Sequence, residues 1–110
     1  MIVLVNTDHN IKKQDGLVAR ITSSVEGALK HRSDHITRIE VHVTDEDGER
    51  KKSQHQMRCV IEAKLEGRGA LAVTHRDISV GQAVDGAAAK MVRWIDHTLG
   101  RAHDIAVHSR

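Results

Sequence analysis

Residues 57–66 read Met-Arg-Cys-Val-Ile-Glu-Ala-Lys-Leu-Glu, and this stretch carries the clearest pattern in the chain. Every odd-numbered residue of it is apolar, whereas Arg58, Glu62 and Lys64 stand between them. Because successive side chains of a strand point to opposite faces, the alternation predicts a strand with one buried face and one open face. Such a strand belongs to a sheet that is covered on one side only.

The segments on either side predict the neighbours of this strand. Upstream, residues 35–44 alternate in the same way, which predicts a second half-buried strand. Residues 45–53 between the two form a charged loop around a glycine. Downstream, Gly67-Arg68-Gly69 has the length of a hairpin turn, so residues 70–74 are expected to pair as a last strand.

One more strand and two helices complete the predicted elements. Residues 1–6 are a short apolar run rich in β-branched residues, which indicates a strand. Apolar positions at helical spacing predict one helix from Lys12 to about His31. A second helix is expected to begin after Asp77 or Ser79 and to run to about Leu99, with Gly100 as its stop signal. The predicted apolar stripes of the two helices are Leu17, Ile21, Val25, Ala28 and Leu29, and Val80, Val84, Ala87, Met91, Ile95 and Leu99.

The predicted order is therefore β-α-β-β-β-α, an α+β fold in two layers. We expect a four-stranded sheet with both helices packed on one face, similar to a double-stranded-RNA-binding domain. The first two strands should be parallel because a helix connects them, and the later strands should be antiparallel. Residues 1–101 are expected to form one domain, and residues 102–110 a tail that is mobile or weakly helical.

Composition narrows the functional classes. A chain of 110 residues with 39% hydrophobic and 29% charged residues has the profile of one soluble globular domain. Cys59 is the single cysteine and no apolar run is long enough to cross a bilayer, so we expect a cytoplasmic protein with no membrane partner. Trp94 is the single aromatic residue, which excludes a sheet that binds nucleic acid by stacking bases on aromatic rings.

The charge distribution is more informative than the net charge. The chain carries 17 Lys and Arg against 15 Asp and Glu, a net charge of only +2. Residues 50–76 contain seven basic and two acidic residues, whereas residues 1–49 contain six basic and nine acidic ones. The middle of the chain is thus a basic segment that follows an acidic one.

Two sets of cations are candidates for contact with a phosphate backbone. The two predicted helices each carry a row of basic residues, and small residues lie between the basic residues of the first helix. If the helices lie side by side, the two basic rows would flank a groove. The alternative is an ordinary solvated helix surface, which spacing alone favours. The open face of the sheet carries further basic residues, for which ion pairing with Glu40 and Glu62 is the alternative. The candidate residues are Lys90, Arg93, His97, Arg101, Arg20 and Lys30 on the helices, and Arg38, Arg58, Lys64 and Arg76 on or near the sheet.

Catalysis finds little support in the sequence. His31 and His35 have the spacing of a metal-binding pair on a helix, but no third ligand is indicated. Cys59 falls on the apolar face of its strand, where a cysteine is usually a small core residue. We therefore expect a protein that is not an enzyme and has no catalytic residues, no metal site and no cofactor.

Three stretches together resemble a known family. Residues 35–43 and 58–67 are similar to two of its strands, and residues 82–93, Gln-Ala-Val-Asp-Gly-Ala-Ala-Ala-Lys-Met-Val-Arg, are similar to the opening of its second helix. Their order and spacing resemble the ribosome hibernation-promoting factors, also called ribosome-associated inhibitors or ribosomal subunit interface proteins. The resemblance covers roughly residues 1–101.

This resemblance implies a function. Members bind the small ribosomal subunit in the channel used by mRNA and tRNA anticodon stems, contact rRNA through basic residues, and block translation under stress or in stationary phase. Lys90 and Arg93 match basic positions of the family's second helix, and Asp85 matches a structural aspartate. Because the chain ends at residue 110, we expect a short form without the C-terminal domain that pairs ribosomes. Two alternatives stay open: a module for structured RNA outside the ribosome, and a protein-interaction domain without a nucleic-acid partner.

Overall fold

A computed structural model describes residues 1–9, 11, 15–46 and 56–108, with only the backbone described for residues 101–108. The order of strands and helices is the predicted β-α-β-β-β-α, with a short 3-10 helix after the first α-helix. The elements are β1 (Ile2–Thr7), α1 (Leu17–Leu29), the 3-10 helix Lys30–His35, β2 (Ile36–Asp45), β3 (Met57–Leu65), β4 (Gly69–Asp77) and α2 (Val80–His108).

The four strands form one mixed sheet in the order β1-β2-β3-β4. The pair β1 and β2 is parallel, and the other two pairs are antiparallel, as predicted. One apolar row crosses the whole sheet, because Val5 pairs with Val41, Val41 with Ile61, and Ile61 with Val73. A slip of one residue in any pair would turn that row toward solvent, so burial of this face determines the register.

Both helices cover the same face of the sheet. The α1 helix contacts β1, α2 contacts β3 and β4, and the two helices contact each other. Their apolar stripes and the alternate residues of the strands form one aliphatic core, and the predicted two-layer α+β arrangement is confirmed. The opposite face is open: Ile2 and Leu4 of β1 are 60% and 46% exposed there.

The first helix is shorter than predicted. Asp15 and Gly16 form a turn, and α1 begins at Leu17 and not at Lys12; residues 12–14 lie outside the described part of the chain. Gly16 has a φ of 81°, a left-handed conformation that glycine adopts without steric cost, so the helix cannot extend back through it.

The second helix and the last strand are longer than predicted. The prediction that α2 ends at Leu99 is wrong, because the helical backbone continues through Gly100 to His108. Gly100 is not among the glycines with positive φ, and a glycine inside a helix lowers stability by about 1 kcal/mol without ending the helix. The β4 strand extends to Asp77, which pairs with Met57, because backbone pairing does not require the apolar side chains that marked residues 70–74.

Candidate nucleic-acid interface

Ion pairs hold most of the cations on the open face of the sheet. Arg38 lies 3.3 Å from the Glu40 carboxylate. Arg76 donates from Nε to Glu46 at 2.9 Å, and Arg58 lies 3.8 Å from the same carboxylate. These three arginines therefore present less free charge to a phosphate than their exposure alone indicates.

Lys64 differs from these arginines. It is exposed on the same face, and it forms no ion pair with any side chain that the structure describes. The neighbouring carboxylates Glu40 and Glu62 instead lie 4.0 Å and 3.5 Å from the imidazole of His42. Ion pairing thus involves Arg38, Arg58 and Arg76 but not Lys64. Only Arg38 has one of the two expected partners, Glu40, since the partner of Arg58 and Arg76 is Glu46.

A row of cations follows the side of α2 that faces β4. Lys90 donates from Nζ to the backbone carbonyl of Thr74 in β4 at 2.8 Å, which places the row above the sheet edge. Arg93 and His97 follow on the same side at helical spacing, both exposed and without an ion pair among the described residues. We call Lys90, Arg93 and His97 the outer stripe of α2. Arg101 would continue it, but its side chain lies outside the described part of the chain.

The two helices do enclose a groove, but the outer stripe is not one of its margins. Arg20 and Ser24 of α1 line a cleft of about 440 Å³ together with apolar side chains of both helices. The α2 margin of this cleft consists of its first residues and includes Asp85. Of the two alternatives for the helix cations, the groove with a basic row on each side is therefore not found among the described residues, because the packing of α2 turns Lys90 and the row that follows it toward β4.

One end of the molecule gathers cations that carry no ion pair. There the 3-10 helix meets β3, since Glu66 donates its N–H to the His35 carbonyl at 2.9 Å, and Arg32 binds Asp96 of α2 at 2.7 Å. We call this region, formed by the 3-10 helix, the β3–β4 turn and α2 from Arg93 onward, the hairpin end. Exposed Lys and Arg residues of this end without an ion pair in the described chain are Lys30, Arg68 and Arg93, and Lys64 lies beside them in β3, opposite Ala70. His31, His35 and His97 are exposed histidines of the same end. Asp34 and Glu66 are exposed carboxylates of the same end.

Arg68 was missed by sequence reasoning. Its setting between Gly67 and Gly69 indicated only a connection between two strands, and a turn residue has no periodic pattern to mark it as functional. Both glycines have positive φ, so the turn presents Arg68 at its tip. An arginine flanked by two glycines in a predicted turn was the signal that could have identified it.

Neither a protein-family model nor a curated protein matches the sequence. The fold does match solved structures. The N-terminal domain of Protein Y from Thermus thermophilus superimposes with a TM-score of 0.63 at 14% identity, over 88% of this chain and 94% of that one. A ribosomal subunit interface protein from Coxiella burnetii superimposes with a TM-score of 0.67 at 13% identity, over 91% of this chain and 99% of that one.

The chain has the fold of a ribosomal subunit interface protein. This confirms, at the level of the fold, the resemblance that the three sequence stretches indicated. The match extends over nine-tenths of the chain, so the interface-protein fold includes both helices and the sheet and not one motif alone.

Three further features of the structure concern a thiol nucleophile, a metal site and a membrane span. Cys59 is fully buried on β3, and burial raises the pKa of its thiol to about 12. Among the described residues, no three His, Cys, Asp or Glu side chains come together as metal ligands. In the same part of the chain, no helix combines the length and the apolarity that crossing a bilayer requires.

Proposed function

We propose that this protein binds the small ribosomal subunit through rRNA and thereby inhibits translation as a hibernation factor under stress or in stationary phase. The observation that carries the proposal is the outer stripe of α2, whose exposed Arg93 and His97 have no carboxylate partner in the described chain. It stands on a fold shared with a protein named for the ribosomal subunit interface.

The outer stripe suits a phosphate backbone. RNA helices are recognised mainly by shape and by contacts to phosphates and 2′-hydroxyls, which require placed cations and no reading of base sequence. Lys90 is held at its tip by the Thr74 carbonyl, and an ammonium group has two further donors that stay available to a phosphate. A rigid wedge with such a stripe would occupy a site by charge and shape alone.

The ion pairs rank the candidate residues. We infer that Arg93, Lys90, His97 and the hairpin end contact rRNA more closely than Arg38, Arg58 and Arg76, because a phosphate would have to displace Glu40 or Glu46 from these three arginines. Arg20 stands apart from both groups, in the cleft beside Asp85.

The proposal assigns binding and no catalysis to the chain. The Cys59 thiol is buried and its pKa is raised to about 12, so it does not supply a thiolate nucleophile at neutral pH. A ribosomal partner would place the protein in the cytoplasm.

Co-sedimentation tests the proposal. Purified protein is layered with small ribosomal subunits on sucrose gradients at low salt and at rising salt concentrations. We expect the protein to travel with the subunits at low salt and to be released as salt increases, since each phosphate contact releases bound counterions. Protein that stays at the top of the gradient at low salt would contradict the proposal.

The ranking of the arginines is tested by a matched pair of variants. Arg93→Gln removes a cation without an ion pair, whereas Arg76→Gln removes one that Glu46 holds. We expect Arg93→Gln to weaken subunit binding and to lower the slope of log affinity against log salt by about one. Arg76→Gln should change the slope less, and equal slopes for the two variants would show that the ion pair does not matter.

Competition with duplex RNA distinguishes binding to the small subunit from binding to structured RNA in general. A plain RNA duplex added in excess should leave the complex with the small subunit intact. Release by duplex RNA at equal nucleotide concentration would favour a general module for structured RNA. Binding that salt does not affect would favour a protein partner instead.

A further inference from the structure

Trp94, the single Phe, Tyr or Trp residue of the protein, is exposed to solvent on α2. Trp94 is 53% exposed, although a side chain of its size normally stabilises a protein by burial. Packing against the core therefore accounts for only part of its surface. The indole is available to a ligand in a chain that contains no Phe and no Tyr.

The neighbours of Trp94 define a shallow depression. Arg93, Trp94 and His97 line a space of about 360 Å³. The imidazole of His97 stands nearly perpendicular to the indole, at an interplanar angle of 87° and a centroid distance of 6.1 Å. The two rings therefore meet edge to face and are not stacked in parallel.

The lining indicates the class of ligand. Of the described residues, only Arg93, Trp94 and His97 line the depression, and none of the three is aliphatic, whereas the central pocket of a protein interface is usually apolar. An aromatic plane beside a guanidinium and an imidazole matches instead a flat base and its charged phosphate, because every base has a π-face and every nucleotide an anion. Arg93 is free for such a phosphate within the described chain, as no carboxylate binds it.

We propose that Trp94 is a stacking platform for one unpaired base of RNA, with Arg93 holding an adjoining phosphate. The inference rests on the proposed function and makes it more specific, since an unpaired base would be contacted next to the phosphates that the outer stripe of α2 binds. It is also consistent with the exclusion drawn from composition, which concerns base stacking on the sheet and not on a helix.

The fluorescence of the protein reports on this site alone, because Trp94 is the only tryptophan and the chain has no tyrosine. The probes are a short single-stranded oligoadenylate and the same strand paired with oligouridylate. We expect saturable quenching of the Trp94 emission by the single strand and much weaker quenching by the duplex. Equal quenching by both, or no quenching, would overturn base stacking.

Variants extend the test to the small subunit. Trp94→Leu keeps an apolar side chain but removes the aromatic plane, and we expect it to weaken co-sedimentation about tenfold. Trp94→Phe keeps a plane and should bind within about threefold of the parent protein. Circular dichroism is used to check that both variants are folded. We expect both to fold, because position 94 is exposed.

The two proposals fail in different ways. If the parent protein and Trp94→Leu bind the subunit equally well, the stacking platform is wrong and ribosome binding stands. If the parent protein does not bind the subunit at all, the ribosomal function is wrong.

Discussion

Gly86 of α2 lies against the side chain of His75 in β4. A Cβ atom at position 86 would overlap the His75 ring, which lies between the helix and the sheet edge. His75 is held there by a hydrogen bond to Asp77, with 3.2 Å between Nε2 and Oδ2. The close approach of α2 to β4, and with it the position of the outer stripe, depends on the missing side chain.

Replacing this glycine should therefore destabilise the protein. Gly86→Ala forces the His75 ring to move, and overpacking of this kind costs about 1–3 kcal/mol. Gly27→Ala in α1 is the matched control, since a Cβ there meets nothing, and we expect it to stabilise the protein by about 1 kcal/mol. Urea unfolding measures both, and a gain in stability from Gly86→Ala would show that His75 moves aside freely.

Arg32 and Asp96 join the 3-10 helix to α2 by two hydrogen bonds of 2.7 Å each. The hydrogen bond from Arg32 lowers the pKa of Asp96 below its usual value. The Asp96 side chain is 51% exposed, so water and salt screen the pair and its contribution stays near that of a surface ion pair.

This ion pair should give a pH-dependent term in stability. Asp96→Asn is expected to lower the free energy of unfolding by about 0.5–1 kcal/mol at neutral pH and low salt. Because the pKa of Asp96 is lowered by folding, its contribution is present above the unfolded value of about 3.9 and disappears as the pH falls through the folded value.

Urea unfolding at a series of pH values measures the difference between the two proteins. Asp34→Asn in the 3-10 helix is the control, since Asp34 is exposed and no ion pair of Asp34 occurs in the described chain. A difference between Asp96→Asn and the parent protein that persists unchanged into acid would contradict the ion-pair explanation.

At the scale of elements, the start of α2 is determined by one serine. Ser79 accepts the Gln82 N–H at 3.1 Å and donates from its hydroxyl to the Gln82 side chain at 2.9 Å. Ser79 is therefore an N-cap whose oxygen satisfies a backbone N–H of the first turn, while its hydroxyl is satisfied by the Gln82 side chain. Ser79 is thus the N-cap among the two residues that the sequence offered, and Asp77 remains in β4.

Removing the cap should loosen the helix that carries the outer stripe. Ser79→Ala is expected to cost about 1 kcal/mol of stability, since an N–H at the helix start loses its acceptor. Ser23→Ala on the exposed side of α1 is the control and should be neutral or slightly stabilising. The midpoints of thermal unfolding of the two variants are measured under one condition. Equal midpoints for Ser79→Ala and Ser23→Ala would rule out a capping role of Ser79.

At the scale of the whole molecule, the two ends of the sheet differ in charge. Glu46 follows the end of β2 and binds Arg76 while lying close to Arg58. Among the described residues, most of the Lys and Arg side chains without an ion pair lie at the hairpin end instead, although Arg20 lies in the cleft between the helices.

Releasing the two arginines should strengthen ribosome binding. Glu46→Gln removes the carboxylate between Arg58 and Arg76, so we expect tighter co-sedimentation and a steeper salt dependence. Glu26→Gln on α1 changes the net charge equally without freeing an arginine, and should have a smaller effect. An equal gain from both variants would mean that only the net charge matters.

Local patterns predicted the elements and failed at their ends. The alternation over residues 57–66 and the stripes beginning at Leu17 and Val80 are intrinsic to the order of residues, and the structure buries these stripes, with Ala28, Val80 and Leu99 only partly buried. Helix ends depend on weaker terms: a left-handed Gly16 ends α1 early, whereas Gly100 stays helical because nothing in the backbone there requires a turn. The free energies of ending and of continuing a helix at a glycine differ by about 1 kcal/mol, which is too small a difference to predict the helix end from the sequence.

The sites show the same division. The sequence was sufficient for the two-layer α+β fold and for most of the candidate cations, though not for Arg68, because periodicity and composition are local properties and a turn residue has no periodic pattern. Only packing decided which cations have carboxylate partners, since Glu46 and Arg76 are 30 positions apart in the chain. Packing also turned the basic row of α2 toward β4 and left Trp94 exposed, because burial of the apolar stripe of α2 sets the rotation of the helix and Gly86 leaves room for the His75 ring.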